Sequence, residues 1–399
     1  MFRDRKIVVG VTGGIAAYKV CEFIRYLVTR GSQLRVMMTR SATEFITPLT
    51  LETLSGHPVY RELFPQDTFS ATQHVNLADW AETIAVVPAT ANILGKFAGG
   101  IADDFVSSTL LAAHCPILFA PAMNHHMWEN PFVQQNLERI RQAGHEICPP
   151  EYGFLAEGYE GMGRLARLEY LIQSLYRTMH PARDSLQGKT VLITAGPTRE
   201  PLDPVRYFSN FSSGKMGLAL AWEAFARGAR VILIHGPIQL TPPFGMECVA
   251  VETARQMHQA VLDHYQDADW VISAAAVADF RPKRTAEEKI KKSGTPMQLE
   301  LEANPDILAT VAKERRAGQL IIGFAVETHD GEKNARRKLQ EKSLDAIVLN
   351  NPLEKGAGFA VDTNRVTLLH RNGTRVELDI MYKLDVARKI FDFVLEQSP

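Results

Sequence analysis

Lys6-Ile7-Val8-Val9-Gly10-Val11-Thr12-Gly13-Gly14-Ile15-Ala16-Ala17-Tyr18-Lys19 is the stretch on which the fold turns. A basic residue leads into an apolar, β-branched run, and the run ends in a glycine pair. The same move recurs at Lys189-Thr190-Val191-Leu192-Ile193-Thr194-Ala195-Gly196-Pro197-Thr198-Arg199-Glu200. Each copy reads as the first strand of a parallel sheet, feeding a turn whose backbone N–H groups can hold an anion. Two such openings predict two α/β domains, both doubly wound and Rossmann-like, each handling a nucleotide or phosphate.

Working outward, short apolar runs alternate with helical patterns, as parallel sheets require. Expected strands in the first half are Ile7–Val11, Leu34–Met38, Ile84–Pro88 and Ile117–Pro121. Helices are expected near Ala16–Arg30, Ala91–Gly95, Ser107–Ala113, Pro131–Ala143 and Leu168–Thr178. Gly31 and Gly144 stand where helix ends favour φ > 0. Glu151–Gly163 is glycine-rich and reads as a mobile flap. His180–Gly188 is polar, carries a proline and reads as the linker, which divides the chain into domains 1–187 and 188–399. In the second half, strands are expected at Val191–Thr194, Arg230–His235, Trp270–Ser273, Ile321–Phe324 and Ala346–Leu349, with a helix over Gly214–Arg227. Leu368–His370 and Arg375–Leu378 flank Asn372-Gly373, a hairpin signal.

The 399 residues carry a net charge of −1, so bulk charge gives no reason to expect nucleic acid or a membrane surface as partner. Apolar residues make up 46% and charged residues 22%, ordinary for a soluble globular protein. The four cysteines, Cys21, Cys115, Cys148 and Cys248, show no CxxC spacing and imply neither a zinc site nor a disulfide framework. A reducing cytoplasmic location is expected. The first strand starts too early to leave room for a signal peptide. No apolar run approaches the ~20 residues of a membrane span.

The chemistry concentrates at a few places. Gly13 and Gly14 can cradle the phosphate of a mononucleotide, and Thr39 offers a hydroxyl just after the second strand. There is no GxGxxG, which disfavours a dinucleotide. An ordinary α/β glycine turn is the alternative. Asn124 ends the Ile117–Pro121 run at the sheet's carboxyl edge, where an amide can donate to a substrate carboxylate or simply form a turn. His74 lies between polar residues, on a loop before an amphipathic stretch. Ser212 and Ser213 precede a helix, a natural phosphate seat. Asn210 reads as an oxyanion donor or a helix cap, and Arg206 as a phosphate or carboxylate partner. Lys289, Lys291 and Lys292 fall in a polar loop. Lys338 and Lys342 share a face of an expected helix. Charge runs of this kind are usually solvated.

Asp203-Pro204-Val205-Arg206-Tyr207-Phe208-Ser209-Asn210, with Phe211-Ser212-Ser213-Gly214-Lys215-Met216-Gly217, closely resembles the family of bifunctional coenzyme A biosynthesis proteins. So do Ala120-Pro121-Ala122-Met123-Asn124, Pro88-Ala89-Thr90-Ala91-Asn92, and His74 ahead of Leu77-Ala78-Asp79-Trp80. The resemblance spans nearly the whole chain, and the motifs stand in family order. It implies a flavodoxin-like flavoprotein domain, which decarboxylates 4'-phosphopantothenoylcysteine with FMN, followed by a ligase domain. The ligase joins 4'-phosphopantothenate to cysteine through an acyl-cytidylate, with CTP and Mg2+; no metal ligand can be named. Carried over by position, His74 and Asn124 are implied as catalytic, and Pro88, Ala89, Thr90, Asn92 and Ser107 as lining the flavin. Asn210 is implied in forming the acyl-cytidylate, and Arg206 on substrate. Ser273, Ala274, Ala275, Asp279, Lys289, Pro305, Asp306, Ile307, Leu308, Phe324, Lys338 and Lys342 are implied as CTP contacts. The family also implies a homo-oligomer with trimeric flavin-domain and dimeric ligase-domain contacts.

One departure stands out. The family carries a cysteine in its flap, within Ala-Cys-Gly, as proton donor. This chain reads Leu155-Ala156-Glu157-Gly158-Tyr159-Glu160-Gly161-Met162-Gly163-Arg164. Glu157 can replace that acid only if desolvation under a closed flap raises its pKa. The alternatives are an impaired flavoprotein half acting as an assembly module beside an active ligase, or a non-enzymatic regulatory flavoprotein. The ligase motifs, all present, argue against the last.

Overall fold

The computed structural model describes residues 1–64, 72–292, 297–354, 356–358 and 360–397. It separates into two compact units, Met1–Arg183 and Asp184–Pro399. The division falls within the polar stretch read as a linker. That stretch is anchored at both ends: His180 is buried in the first unit, where its ring meets Tyr176 edge-on, and Leu186 is buried with Val191 in the core of the second.

In the first unit, β1 (Lys6–Val11), β2 (Gln33–Met38), β3 (Val59–Tyr60), β4 (Thr83–Ala89), β5 (Ile117–Pro121) and β6 (Glu146–Ile147) form one sheet in the order β3-β2-β1-β4-β5-β6. Every pairing is parallel. Ile7, Val8 and Val9 are fully buried, the signature of a strand covered on both faces. The helices are α1 (Val20–Thr29), α2 (Pro48–Ser55), α3 (Gln73–Trp80), α4 (Ala91–Ala98), α5 (Phe105–Ala112), α6 (His125–Glu129), α7 (Pro131–Gln142) and α8 (Leu168–Thr178). Val8, Val86 and Phe119 of the sheet share a core with Phe105 and Leu137 of the helices. The strand order reverses between β1 and β4, which opens a crevice at their carboxyl ends.

Three local expectations change. The helix expected from Ala16 begins as a 3-10 turn over Ile15–Lys19 before α1. His74 lies in the first turn of α3, not on a loop, because the amphipathic stretch that buries Leu77 and Ala78 starts one residue before it. The glycine-rich flap is an antiparallel hairpin of β7 (Glu151–Phe154) and β8 (Glu160–Arg164), with a register shift between Glu151 and Tyr152. Two of its glycines serve close packing: a Cβ on Gly161 would lie 2.9 Å from His125 Cβ, and one on Gly163 would lie 2.0 Å from the Met123 carbonyl oxygen.

In the second unit, β9 (Thr190–Ala195), β12 (Arg230–His235), β13 (Glu247–Ala250), β14 (Trp270–Ser273), β17 (Leu320–Val326), β18 (Ala346–Asn350), β19 (Thr363–His370) and β20 (Arg375–Tyr382) build an eight-stranded sheet. Its order is β13-β12-β9-β14-β17-β18-β19-β20. It is parallel through β18, and β19 and β20 add an antiparallel edge. Arg371-Asn372-Gly373-Thr374 closes the β19–β20 hairpin, with Gly373 at φ 97°. Two small ribbons, β10 (Glu200–Pro201) with β11 (Tyr207–Phe208) and β15 (Phe280–Pro282) with β16 (Leu301–Ala303), project from the loops. The helices are α9 (Lys215–Ala226), α10 (Ala254–His264), α11 (Ile307–Lys313), α12 (Gly331–Glu341) and α13 (Lys383–Gln397). α13 returns from the edge strands to bury Val386, Ile390 and Phe391 beside Leu218 and Ala221 of α9. Trp270 stacks on Phe391 at 5.3 Å. Here the order reverses between β9 and β14.

Candidate active sites

In the first unit the singled-out residues fall at the carboxyl ends of the central strands. Gly13 and Gly14 follow β1, Thr39 follows β2, Thr90 follows β4 and Asn124 follows β5. Gly14 precedes the 3-10 turn with no side-chain cap, and its own N–H donates to the Thr12 carbonyl at 3.0 Å. A Cβ on Gly13 would come 2.4 Å from Ser41 Cβ, so glycine is required there. Thr12, which the sequence reading passed over, ties the two sides of the crevice together. Its Oγ1 donates to the Pro88 carbonyl at 2.7 Å and accepts from the Thr90 N–H at 3.1 Å. Thr90 Oγ1 in turn caps α4 at Ile93. Thr39 Oγ1 accepts from the Ala42 N–H at 3.3 Å and caps the short turn after β2. Asn92 is exposed in the first turn of α4.

Ser107 behaves differently. It is fully buried and joins Asp104 in a capping box at the start of α5. Its hydroxyl accepts from the Asp104 N–H at 3.0 Å. The hydroxyl is therefore occupied in holding the helix start.

His74 meets Phe105 edge-on at 6.5 Å, and Phe105 stacks on Tyr60. Its Nδ1 is buried with no hydrogen-bond partner among the described residues. Such an orphaned nitrogen is uncommon in a folded protein.

The hairpin docks on the turn after β5. The Met123 N–H donates to the Gly163 carbonyl at 3.0 Å, and the Met162 N–H to His125 Nδ1 at 3.2 Å. Asn124 Oδ1 accepts from the His126 N–H at 2.9 Å, which fixes the amide's orientation. Its Nδ2 then donates to Glu157 Oε1 at 3.0 Å and to Tyr159 Oη at 2.6 Å. The structure thus brings together two singled-out residues 33 positions apart, and adds Tyr159. Tyr159 left no signal in the sequence, since its meeting with Asn124 depends on how the hairpin docks. The electrostatics of Glu157 run opposite to expectation. The carboxyl is exposed, and the hydrogen bond from Asn124 holds its pKa below the ordinary glutamate value instead of raising it.

In the second unit, Ser273 ends β14, and Ala274–Ala276 run out along the end of β9. The Ala275 N–H donates to Thr194 Oγ1 at 3.2 Å, and the Ala276 N–H to the Gly196 carbonyl at 2.9 Å. Asn210 Nδ2 donates to the Ala276 carbonyl, and Asn210 Oδ1 accepts from the Ser212 N–H at 3.2 Å. The amide therefore joins the Ala274–Ala276 loop to the start of α9. The Asn304 N–H donates to the Asp279 carbonyl at 2.8 Å, which brings Pro305–Leu308 alongside. Asp306 caps α11 through the Ala309 N–H and pairs with Lys342 Nζ at 2.7 Å. Burial alone would raise the Asp306 pKa, but Lys342 and the cap hold it below its ordinary value. Lys338 pairs instead with Glu327 at 2.7 Å, so the two lysines meet different carboxylates although both lie at the end of α12. Phe324 is half-buried on β17.

Arg206 and Lys289 are linked in a way the sequence did not suggest. Arg206 chelates Asp203 through Nε at 3.0 Å and Nη2 at 2.5 Å, and Nη2 also reaches the Ile290 carbonyl at 2.6 Å. Asp203 Oδ2 accepts from the Ile290 N–H at 3.1 Å. Burial would raise the Asp203 pKa, but Arg206 and the N–H groups of Val205, Ile290 and Arg206 hold it well below the carboxylate range. This ion pair, with its carboxylate buried and its guanidinium exposed, clamps the segment that presents the exposed Lys289.

Residues 1–180 match the Flavoprotein family, and residues 186–397 match the DNA/pantothenate metabolism flavoprotein C-terminal domain. The chain is 47% identical over 402 residues to the coenzyme A biosynthesis bifunctional protein CoaBC of Bacillus subtilis (strain 168), covering 100% of this chain and 98% of that one. It is 43% identical over 376 residues to the protein of the same name from Escherichia coli (strain K12), covering 93% and 92%. Among solved structures, the C-terminal domain of a coenzyme A biosynthesis bifunctional protein CoaBC is 45% identical, covering 53% of this chain and 96% of that one, with a TM-score of 0.46. With near-complete coverage of relatives at this identity, the chain belongs to the family of coenzyme A biosynthesis bifunctional proteins.

Proposed function

We propose that this chain performs two consecutive reactions of coenzyme A biosynthesis. The second unit ligates 4'-phosphopantothenate with cysteine at the expense of CTP and Mg2+, and the first unit decarboxylates the product with FMN. The observation that supports the reading is that Gly13, Thr90 and Asn124 in the first unit and Ala274 in the second follow the carboxyl ends of central strands of a doubly wound sheet, with Asn210 bonded to Ala276 beside them.

In the ligase half, the substrate carboxylate attacks the α-phosphorus of CTP, pyrophosphate leaves, and the cysteine amine then displaces CMP from the acyl-cytidylate. Lys289 supplies positive charge for the triphosphate, and the Asp203–Arg206 clamp positions the segment that carries it. Lys338 and Lys342 would exchange their carboxylate partners for phosphate oxygens. One N–H of Asn210 engages Ala276; the other is the donor for negative charge developing on the acyl group. Among the described residues no cluster of three or more His, Cys, Asp or Glu could hold a metal. Mg2+ would be held through the phosphate oxygens of the triphosphate, its common mode.

In the flavoprotein half, the side-chain-free turn at Gly13–Gly14 and the hydroxyls beside it fit a single phosphate monoester, the head group of FMN. FMN, when bound, supplies oxidation of the thiol-bearing carbon, which gives the electrons released with CO2 a sink. His74 moves the proton, using the Nδ1 that has no hydrogen-bond partner among the described residues. Asn124 receives the substrate carboxylate. We further propose a cytoplasmic homo-oligomer with trimeric flavin-domain and dimeric ligase-domain contacts.

The test is anaerobic incubation of the purified, flavin-loaded chain with phosphopantothenate, cysteine, CTP and Mg2+, followed by mass analysis. Phosphopantetheine is the expected product. Accumulation of the uncleaved cysteine conjugate would restrict the activity to the ligase half, and no conjugate at all would refute the reading.

A further inference from the structure

Asn124 has two N–H groups, and the hairpin supplies an acceptor for each: Glu157 Oε1 at 3.0 Å and Tyr159 Oη at 2.6 Å. The amide cannot turn away, because its carbonyl is held by the His126 N–H. Glu157 is delivered to it by a short turn. The Gly158 N–H donates to the Leu155 carbonyl at 3.1 Å, and the Leu155 N–H to the Tyr159 carbonyl at 2.8 Å. The turn is exposed, yet the carboxylate points back at the amide instead of into solvent. Resting on the reading that Asn124 receives the substrate carboxylate, we propose that Glu157 is an internal carboxylate occupying that same seat, and so a specificity-determining residue that sets the selectivity of the flavoprotein half against carboxylate-bearing ligands.

The physical case is one of like displacing like. A substrate carboxylate and Glu157 have the same charge, the same planar oxygens and the same preferred donor. Two carboxylates cannot crowd one amide without repelling each other. Glu157 is tethered, so its effective concentration at Asn124 stays high however dilute the substrate is. A ligand that needs the Asn124 N–H therefore binds only to the fraction of molecules in which Glu157 has let go, and its apparent affinity falls by that fraction. A ligand of the same length without a carboxylate needs no displacement and is unaffected. The hydrogen bond that lowers the pKa of Glu157 keeps it in the competing, ionised form.

The test compares two probes on the full-length, flavin-loaded protein by calorimetry. One is the serine analogue of phosphopantothenoylcysteine, which keeps the carboxylate but has no thiol to oxidise. The other is phosphopantetheine, which lacks the carboxylate. In Glu157→Ala the serine analogue should bind about tenfold more tightly, the weight of one hydrogen bond to a charged group, and phosphopantetheine should bind as before. Glu157→Gln, a neutral acceptor of the same length, should fall between. Adding Asn124→Ala to Glu157→Ala should abolish the gain. An unchanged ratio of the two affinities in Glu157→Ala overturns the inference while leaving the proposed reaction standing. If neither probe binds the parent or any variant, the assignment of the flavoprotein half fails, and this inference with it.

Discussion

Gly163→Ala should uncouple the two halves of the enzyme. Gly163 has φ 142°, and a Cβ there would lie 2.0 Å from the Met123 carbonyl oxygen. A carbon and an oxygen settle at roughly 3.3–3.6 Å, so β8 must move by more than about 1 Å. Backbone in this glycine-only region costs an alanine about 1–3 kcal/mol. The shift also breaks the bond from the Met123 N–H to Gly163, worth about 1 kcal/mol. The docked hairpin is thus destabilised by about 2–4 kcal/mol, below the 5–15 kcal/mol that hold a typical domain together. At about 1.4 kcal/mol per factor of ten, the docked population falls by a factor of about 30 or more. The unit should stay folded while the hairpin that covers Asn124 comes away, and opening the site to water should cost more than release of Glu157 from Asn124 returns. The assay measures two rates on one preparation: decarboxylation of phosphopantothenoylcysteine, and pyrophosphate release from CTP with phosphopantothenate. Decarboxylation should fall at least about tenfold, with pyrophosphate release unchanged. Parent-like decarboxylation, with the melting profile unaltered, would refute the argument that a docked hairpin builds this site.

Asn210→Asp puts a carboxylate against the Ala276 carbonyl and removes the amide donor. Pyrophosphate release in the absence of cysteine should drop by a factor of about 100 or more, and near-normal release would remove Asn210 from the mechanism. Lys289→Gln should cost about 2–4 kcal/mol in kcat/KM for CTP, while Arg206→Gln, which loosens the Lys289 segment, should raise KM more than it lowers kcat; equal effects on both constants would count against the clamp. Chromatography of extracted cofactor should yield FMN, and recovery of FAD would contradict the single-phosphate cradle at Gly13–Gly14. Burial, helped by the nearby Lys215, pushes the Lys383 ammonium down to about 8 from 10.5. The unfolded chain therefore binds more protons between those values, and stability should rise with pH across that window. Urea midpoints of Lys383→Met should lack this rise, and identical slopes in parent and variant would show that Lys383 does not titrate there.

The sequence by itself determined what depends on neighbours along the chain. Two β-branched runs that end in glycine turns define two parallel sheets, because period, composition and turn chemistry all act within a dozen or so residues. The positions of Gly13, Asn124 and Asn210 could be placed for the same reason, since each sits where a strand or turn hands over to the next element, whereas Ala274 came only with the family resemblance. Glu157 was legible as a departure, but its state was not. Whether a carboxyl is raised or lowered depends on which group lies beside it, and Asn124 arrives there only because the hairpin docks on the turn after β5. That the flap is built as a hairpin was not legible, because glycines that relax a loop and glycines that admit a close neighbour are the same letter. Tyr159, Thr12 and the Asp203–Arg206 hold on Ile290 left no local signal, since each joins segments that only the packed sheet brings together. α13 and the edge strands β19 and β20 likewise acquire their place from burial against α9 and β18. Local propensity fixes which elements form; long-range burial and hydrogen bonding fix which side chains meet, and in this protein the meetings decide the chemistry.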